Sequence, residues 1–448
     1  MLGGEPLSES PGAGAARREA GEGAAATRRD RAARDAPLAI ARHARLRRHA
    51  WWRTTLAGAA TLLAVVVVSG ASLAAIVTTQ LASNIDTVDI GITEAGAEAP
   101  RIGPPEGGFS VLIVGIDNLP GQADEADRDG ATLNDANLLI TVAEDQQSAV
   151  AVSIPRDLIV PIPSCPYEDG TGSYSAMSAQ QFNVAYSYGG LNCVVLAAQK
   201  LTELPIDYAG LIGFDGVARM ATAIGGVDVC ITAPINDREA GLFLPEAGEY
   251  ALEGEQAIGF LRTRYGIGDG GDLSRISNQQ SFLSSMIRKL QSDGTLTDLP
   301  TVYALAQAMT QSMKLSSGLA TPDTLVSMAQ VLAALPPENI VFTQYPGTIP
   351  LSGPNTGRVI PDQAAADALF ERIRAGERFV PEEPQNGTEA APGTVGGADG
   401  GVDAPAEPAP SPTASADPTP APSATTPPVL EGVPGQTAAE ARCAVGRG

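Results

Sequence analysis

The run SVLIVGID (Ser110–Asp117) decides the fold class of this chain. It is short, apolar almost throughout and closed by a turn-prone stretch, the pattern of a buried strand. Two further runs follow, NLLITVA (Asn137–Ala143) and SAVAVSIPRD (Ser148–Asp157), joined by the four polar residues 144–147. So short a link reads as a hairpin. Downstream, helical patterns at 192–203, 215–224, 254–261, 276–291 and 363–374 are interleaved with strand-like runs at 208–214, 228–232 and 339–346. Together they predict an α/β domain with a mixed, partly antiparallel sheet covered by helices.

Outside this region the composition changes twice. The 448 residues carry 29 Lys+Arg against 51 Asp+Glu, a net charge of −22, which argues against a nucleic-acid partner. Residues 1–53 run the other way, with 11 Arg and 6 acids. After them, TTLAGAATLLAVVVVSGASLAAIV (54–77) holds no charge. At about 1.5 Å per residue it reaches about 36 Å, enough to cross a hydrocarbon core of about 30 Å. Arg42, Arg45, Arg47, Arg48 and Arg53 crowd its N-terminal side, beside Trp51 and Trp52. A cleaved signal peptide has a shorter apolar core placed nearer the N-terminus, and flanking arginines do not suit a buried core helix. The expectation is a single-pass protein of the cell membrane with its N-terminus in the cytoplasm. Residues 1–53 form the basic cytoplasmic tail, 54–77 the transmembrane helix, 78–107 a stalk and 108–377 the extracytoplasmic globular domain. The Pro/Ala/Thr-rich tail, 378–448, is too poor in apolar residues to bury a core and is expected to be disordered.

Chemistry is constrained by what is missing. The two histidines, His43 and His49, both lie among the N-terminal arginines, so the globular part must do acid–base work with carboxylates, Tyr, Cys or Lys. If the first three strands are antiparallel neighbours, Asp117, Asp135 and Arg156-Asp157 reach one sheet edge. Clustered carboxylates raise one another's pKa unless a cation intervenes, and a hard divalent ion with oxygen ligands would resolve the conflict. Ordinary strand-end and turn aspartates would show the same spacing. A second cluster lies in LRTRYGIGDGGDLSRISNQQSFL (Leu261–Leu283). Asp272 is placed to cap a helix, with Arg275 and Gln279 on one face of it. Arg262 and Arg264 would point together from an extended exit. Arginine forks suit phosphate, although surface ion pairs would also use these residues. GIGDGGD (Gly266–Asp272) fits neither P-loop nor EF-hand spacing and reads as a mobile loop.

The segments SIPRD (Ser153–Asp157), NVAYSYGG (Asn183–Gly190), DGVARMATAIGGVDV (Asp215–Val229), LEGEQAIGFLRTRY (Leu252–Tyr265) and GDLSRISNQQSFL (Gly271–Leu283) occur in the order seen in the LytR-CpsA-Psr family, which the chain resembles. The resemblance implies a three-layer α-β-α fold and a phosphotransferase of the bacterial cell envelope. Such an enzyme moves a glycopolymer from a polyprenyl-pyrophosphate lipid to the muramic acid 6-hydroxyl of peptidoglycan, assisted by Mg2+ or Mn2+. By position, Asp117 and Asp135 match the metal-binding carboxylates, and Arg156, Arg262, Arg264 and Arg275 the pyrophosphate-binding arginines. Gln279 matches a polar pyrophosphate contact. Asp157 and Asp272 match carboxylates able to assist the acceptor hydroxyl. Leu119, Leu133-Asn134 and Asn278 stand where many members have arginine or Arg-Ser. The chemistry suits the residues, because phosphoryl transfer needs positioned charge more than covalent work. Hydrolysis of the lipid pyrophosphate and a non-enzymatic envelope sensor are the alternatives.

Four cysteines allow three complete pairings. Cys165 follows the SIPRD strand and Cys193 opens a helix, so a bridge between them would pin the loop beside the site. Cys230, in an apolar strand, is either a buried thiol or the partner of Cys443.

Overall fold

Strand Phe109–Ile116 lies inside a nine-stranded sheet, and its alternation explains why. Leu112, Val114 and Ile116 join one core with Val194, Val195 and Phe370. Phe109, Val111 and Ile113 join another, with Met328 and Val331. A strand covered on both faces needs no polar alternation, hence the unbroken apolar run. The computed structural model describes residues 51–83, 86–88, 107–116, 133–167, 169–292, 295, 298–383, 388–390 and 427–447.

Across the sheet the strands run Asp86–Val88, Met313–Ser316, Tyr208–Gly213, Phe109–Ile116, Asn134–Val142, Ala149–Ser153, Ile340–Gln344, Val429–Thr437 and Val380–Glu382. Phe109–Ile116 pairs antiparallel with Asn134–Val142 and parallel with Tyr208–Gly213. The sheet is therefore mixed, and the hairpin expected at 144–147 is present. The helices described are α1 (Trp51–Ser83), α2 (Ala185–Thr202), α3 (Phe214–Ala223), α4 (Gly254–Arg262), α5 (Asp272–Gln291), α6 (Leu299–Ser312), α7 (Pro322–Ala334) and α8 (Gln363–Ala375). Helices α2 and α8 cover one face; side chains of α5, α6 and α7 cover the other. A third core packs α3, α4 and α5 on Val227–Ile231 and Gly248–Leu252. Side-chain caps start α6 (Asp298), α7 (Thr321) and α8 (Asp362), each satisfying an otherwise orphaned amide.

The chain divides into two units, 1–69 and 70–448. In the first, the described side chains of α1 are exposed, among them Leu62, Leu63 and Val65–Val68. Among the described residues no helix is long and apolar enough to cross a membrane; side chains of α1 are described without interruption only over 55–69.

Two boundaries need correction. The supposed stalk contributes Asp86–Val88 to the sheet edge, parallel to Met313–Ser316. The tail 378–448 is not disordered as a whole. Val380–Glu382 and Val429–Thr437 extend the main sheet, and Arg442–Ala444 pairs with Val227–Ile231. A few apolar residues suffice there, Leu430, Val433, Ala438 and Ala444, because they complete cores that already exist. Residues 391–426 of the tail lie outside the described residues.

Candidate active site

The hairpin brings the second strand's start against the third strand's exit. Ile116 pairs with Asn134, and Leu138 with Ser153. Two buried asparagines lock this corner. Asn134 Nδ2 donates to Asn137 Oδ1 (2.6 Å), and Asn137 Nδ2 to the Ile154 carbonyl (3.3 Å). Asp135 and Arg156 consequently face each other, with Arg156 Nη1 2.5 Å from Asp135 Oδ1. Asp117, one residue beyond Ile116, lies outside the described residues.

The first turn of α5 closes the site from the other side. Asp272 does not cap this helix; Gly271 holds the cap position and Asp272 is the first helical residue. Its carboxylate is engaged elsewhere. Asp272 Oδ1 lies 2.7 Å from Arg275 Nη2, 3.2 Å from Arg264 Nη2 and 3.9 Å from Arg156 Nε. Arg275 Nη2 also donates to the Asp135 carbonyl at 3.0 Å. Three arginines thus converge on one carboxylate oxygen, while Asp272 Oδ2 is buried without a hydrogen-bond partner. A buried acceptor of that kind calls for a donating hydroxyl or a cation.

The cations respond differently to this crowding. Burial works against the charge on Arg156, but Asp135, then Asp157 and Asp272, more than offset it and its pKa is raised. Arg264 is pushed down by burial and by repulsion from Arg275 and Arg156, more than Asp272 restores. A guanidinium stays protonated regardless, so an added anion would relieve the repulsion Arg264 meets from Arg275 and Arg156.

The remaining residues named from sequence are more dispersed. Asp157 accepts from Arg156 Nε (3.4 Å), Gln181 Nε2 and Arg358 Nη1 (3.3 Å). Arg262 lies over the Phe214 ring, 5.1 Å from its centroid, a cation–π contact. Gln279 Nε2 donates to the Leu261 carbonyl at 3.0 Å, tying α5 to the end of α4. The Cys165–Cys193 bridge is formed, and Cys230 pairs with Cys443.

Sequence reading missed three residues here. Arg358 reaches Asp157 from 201 positions away, and no local motif marks it. Gln181 arrives on the unforeseen hairpin of Ile159–Ile162 with Met177–Gln181. Asp237 is a buried hub whose Oδ2 accepts from Thr263 Oγ1 (2.7 Å) and from the Arg264 and Tyr265 amides (3.0 and 3.1 Å). Burial pushes its pKa up, but the hydrogen bonds from Thr263, Ala240, Arg264 and Gly266 outweigh this and hold it below the usual 3.8. It sits in the polar run Asn236–Glu239, in a segment without a motif, where one more acid gives little signal.

Behind the ionic cluster lies a cavity of about 410 Å³ between the sheet and α3, α5, α6 and α7. Asp135, Arg156, Asp272, Arg275 and Gln279 line it, and the rest of its wall is almost wholly apolar. Helix α5 shows the gradient. Arg275, Gln279, Leu283, Met286 and Leu290 all line the cavity and, spaced three or four apart, form one helical stripe. The stripe passes from charged to polar to apolar over about 22 Å at about 1.5 Å per residue. The positive N-terminus of α5 is at the charged end, where anions are favoured.

The profile of the LytR_cpsA_psr family matches residues 77–374. The chain belongs to the LytR-CpsA-Psr family. It is similar to the cell wall biosynthesis protein LcpA of Corynebacterium glutamicum, 28% identical over 274 residues covering 54% of this chain and 51% of that one. It is also similar to the polyisoprenyl-teichoic acid–peptidoglycan teichoic acid transferase TagT of Bacillus subtilis, 26% identical over 302 residues covering 66% and 86%. The match thus spans about half the length of LcpA. Among solved structures, the LytR-Csp2A-Psr enzyme from Actinomyces oris aligns with a TM-score of 0.48 at 19% identity, over 64% of this chain and 95% of that one. The LytR-CpsA-Psr match contains every site residue described above and ends before the C-terminal strands.

Among the described residues no group of three or more His, Cys, Asp or Glu converges as a metal site. Asp135 nevertheless suits a hard divalent ion. It is a nearly inaccessible carboxylate at the ionic end of the cavity, and such ions take oxygen ligands.

Proposed function

We propose that the chain is a glycopolymer phosphotransferase of the cell envelope, taking its donor as a polyprenyl-pyrophosphate lipid and passing the polymer to the muramic acid 6-hydroxyl of peptidoglycan. One observation carries this reading: a single cavity has an apolar sleeve and an arginine-rich end, which is the polarity of a prenyl pyrophosphate. The names of the relatives, a cell wall biosynthesis protein and a teichoic acid–peptidoglycan transferase, support the envelope setting.

In this reading the prenyl chain fills the sleeve along α5. Arg156, Arg264 and Arg275 hold the pyrophosphate, and Arg262 and Gln279 border it. The acceptor hydroxyl attacks the phosphorus that carries the glycopolymer and gives its proton to Asp272 Oδ2, the buried oxygen lacking a donor. A new P–O bond to the acceptor forms as the bond to the prenyl phosphate breaks. The leaving prenyl phosphate remains paired with the arginines, which concentrates stabilisation where charge develops. Asp157, held by Arg156, Gln181 and Arg358, fixes Arg156 in line. Mg2+ or Mn2+, held by Asp117 and Asp135, would neutralise phosphate charge.

The uncharged span 54–77 with its flanking arginines supports a single-pass membrane anchor, N-terminus inside and the α/β domain outside. Exposed Leu and Val side chains on α1 accord with lipid contact.

The test supplies lipid-linked glycopolymer to the full chain in detergent, with and without peptidoglycan. Polymer joined to peptidoglycan supports the proposal. Release to water alone would make the chain a pyrophosphate hydrolase, and no turnover with either acceptor would point to a sensor.

A further inference from the structure

The glycine-rich loop between Arg264 and Asp272 joins two arms of the ionic cluster, yet its composition gives it little stiffness. Gly266, Gly268, Gly270 and Gly271 fall within it, and Gly268 and Gly270 sit at φ +45° and +83°. Glycine leaves the backbone its greatest freedom. Turn hydrogen bonds such as Gly270 N–H to the Ile267 carbonyl order it in part, and the rest of its order comes from outside the loop. Asp237 holds its start through the Arg264 and Tyr265 amides. At its end, Asp269 Oδ1 accepts from the Gly271 amide at 2.8 Å.

The middle is held by residues 445–447. The Gly268 amide donates to the Val445 carbonyl (2.9 Å), and the Arg447 amide to the Gly266 carbonyl (3.0 Å). Ile267 and Gly446 form an antiparallel bridge. Gly446 is threaded tightly: a Cβ there would lie 2.1 Å from the Ala233 carbonyl oxygen and 2.6 Å from that of Pro234. The Arg447 guanidinium lies against Gly270, with Nη1 2.8 Å from where a Cβ would stand. This segment leaves the strand Arg442–Ala444, which pairs with Val227–Ile231, and lies beyond residue 374, where the family match ends.

We propose that Val445–Gly446–Arg447 is a positioning strap, which orders the 265–271 loop and so fixes Arg264 for gripping the pyrophosphate, with Asp272 holding that arginine in place. The proposal rests on the lipid-pyrophosphate reading of the site. Without the strap, ordering the glycine loop must be met from binding energy, and small misplacements of gripping groups cost large factors.

The experiment compares the full chain with one ending at Ala444, which retains Cys230 and Cys443. Amide exchange at Gly268 and affinities for geranylgeranyl pyrophosphate and geranylgeraniol are measured in detergent. Exchange at Gly268 should rise at least about tenfold, since its amide loses its acceptor. Affinity for the pyrophosphate should fall about tenfold, while that for the alcohol stays unchanged. A general loosening of the fold would lower both. Should the truncated chain fail to fold, Gly446→Ala keeps every other residue while the added methyl has no room. Unchanged exchange, or faster exchange with unaltered pyrophosphate affinity, overturns the strap. Failure of the lipid reading is distinct: the unaltered chain would itself bind the pyrophosphate no better than the alcohol.

Discussion

The two ends of the cavity follow opposite rules. At the ionic end, Asp135, Arg156, Asp272 and Arg275 each make specific charged or backbone contacts, and few side-chain polar atoms lack a partner. At the other end, five of the chain's seven methionines line the wall: Met220, Met286, Met309, Met313 and Met328. They come from five different elements, α3, α5, α6, α7 and the strand Met313–Ser316. Arginine forks fix a ligand's position through direction, whereas unbranched thioethers adapt to shape. The contrast implies that conservative changes are costly at one end and tolerated at the other.

Asp272→Asn is the sharpest way to break that contrast. It keeps the shape but removes the acceptor for the hydroxyl proton, and transfer should fall by about 10²–10⁴, the usual span of a lost general base. Affinity for the lipid donor, measured separately, should change far less. Arg275→Lys comes next. It preserves charge but replaces a planar guanidinium, whose Nη2 alone reaches both Asp272 and the Asp135 carbonyl and whose Nε is left without a partner, by a single ammonium. A lost charge-assisted bond of about 1.5–3 kcal/mol corresponds to about ten- to a hundredfold in rate. If the rate stayed normal, or the loss followed melting temperature alone, Arg275 would be only an intrahelical ion pair.

Changes at the apolar end should be smaller. Met286→Leu conserves volume and should cost under about 1.5 kcal/mol in donor binding, with turnover intact. If it proved as damaging as Arg275→Lys, the apolar wall would be a rigid template and the contrast would fail. The smallest effect concerns acid stability. The Asp237 pKa is depressed in the folded chain. Its contribution is therefore present above the ordinary value of 3.8, and is lost as pH falls through the lower folded value. Melting temperatures of the parent chain and Asp237→Asn should differ at neutral pH and converge below pH 3.8. A constant difference across that range would assign Asp237 another role.

Legibility in the sequence divided along physical lines. The strand Phe109–Ile116, the hairpin and helices α3, α4 and α8 were readable because burial on both faces, or helical periodicity, leaves a local trace. SIPRD and the LRTR segment were readable as motifs, and the structure brings Asp135, Arg156, Arg264, Asp272 and Arg275 together. Arg358 and Asp237 were not readable, since their partners lie far along the chain and single residues carry no period. The strands Val429–Thr437 and Arg442–Ala444 were hidden by composition. A segment that completes an existing sheet needs few apolar residues of its own, and the Pro-rich stretch preceding it dominated the reading. Asp272 looked like a helix cap because short acids favour that place; convergent arginines claimed its carboxylate instead.

The central claim is that one ligand spans both ends of one cavity. Its most direct test is calorimetric titration of the full chain in detergent with geranylgeranyl pyrophosphate, geranylgeraniol and inorganic pyrophosphate, repeated with Arg275→Lys. The prenyl pyrophosphate should bind more tightly than either part alone, and Arg275→Lys should weaken it and inorganic pyrophosphate while sparing the alcohol. Equal affinity for the prenyl pyrophosphate and one of its parts, or a loss of alcohol binding in Arg275→Lys, would contradict the claim.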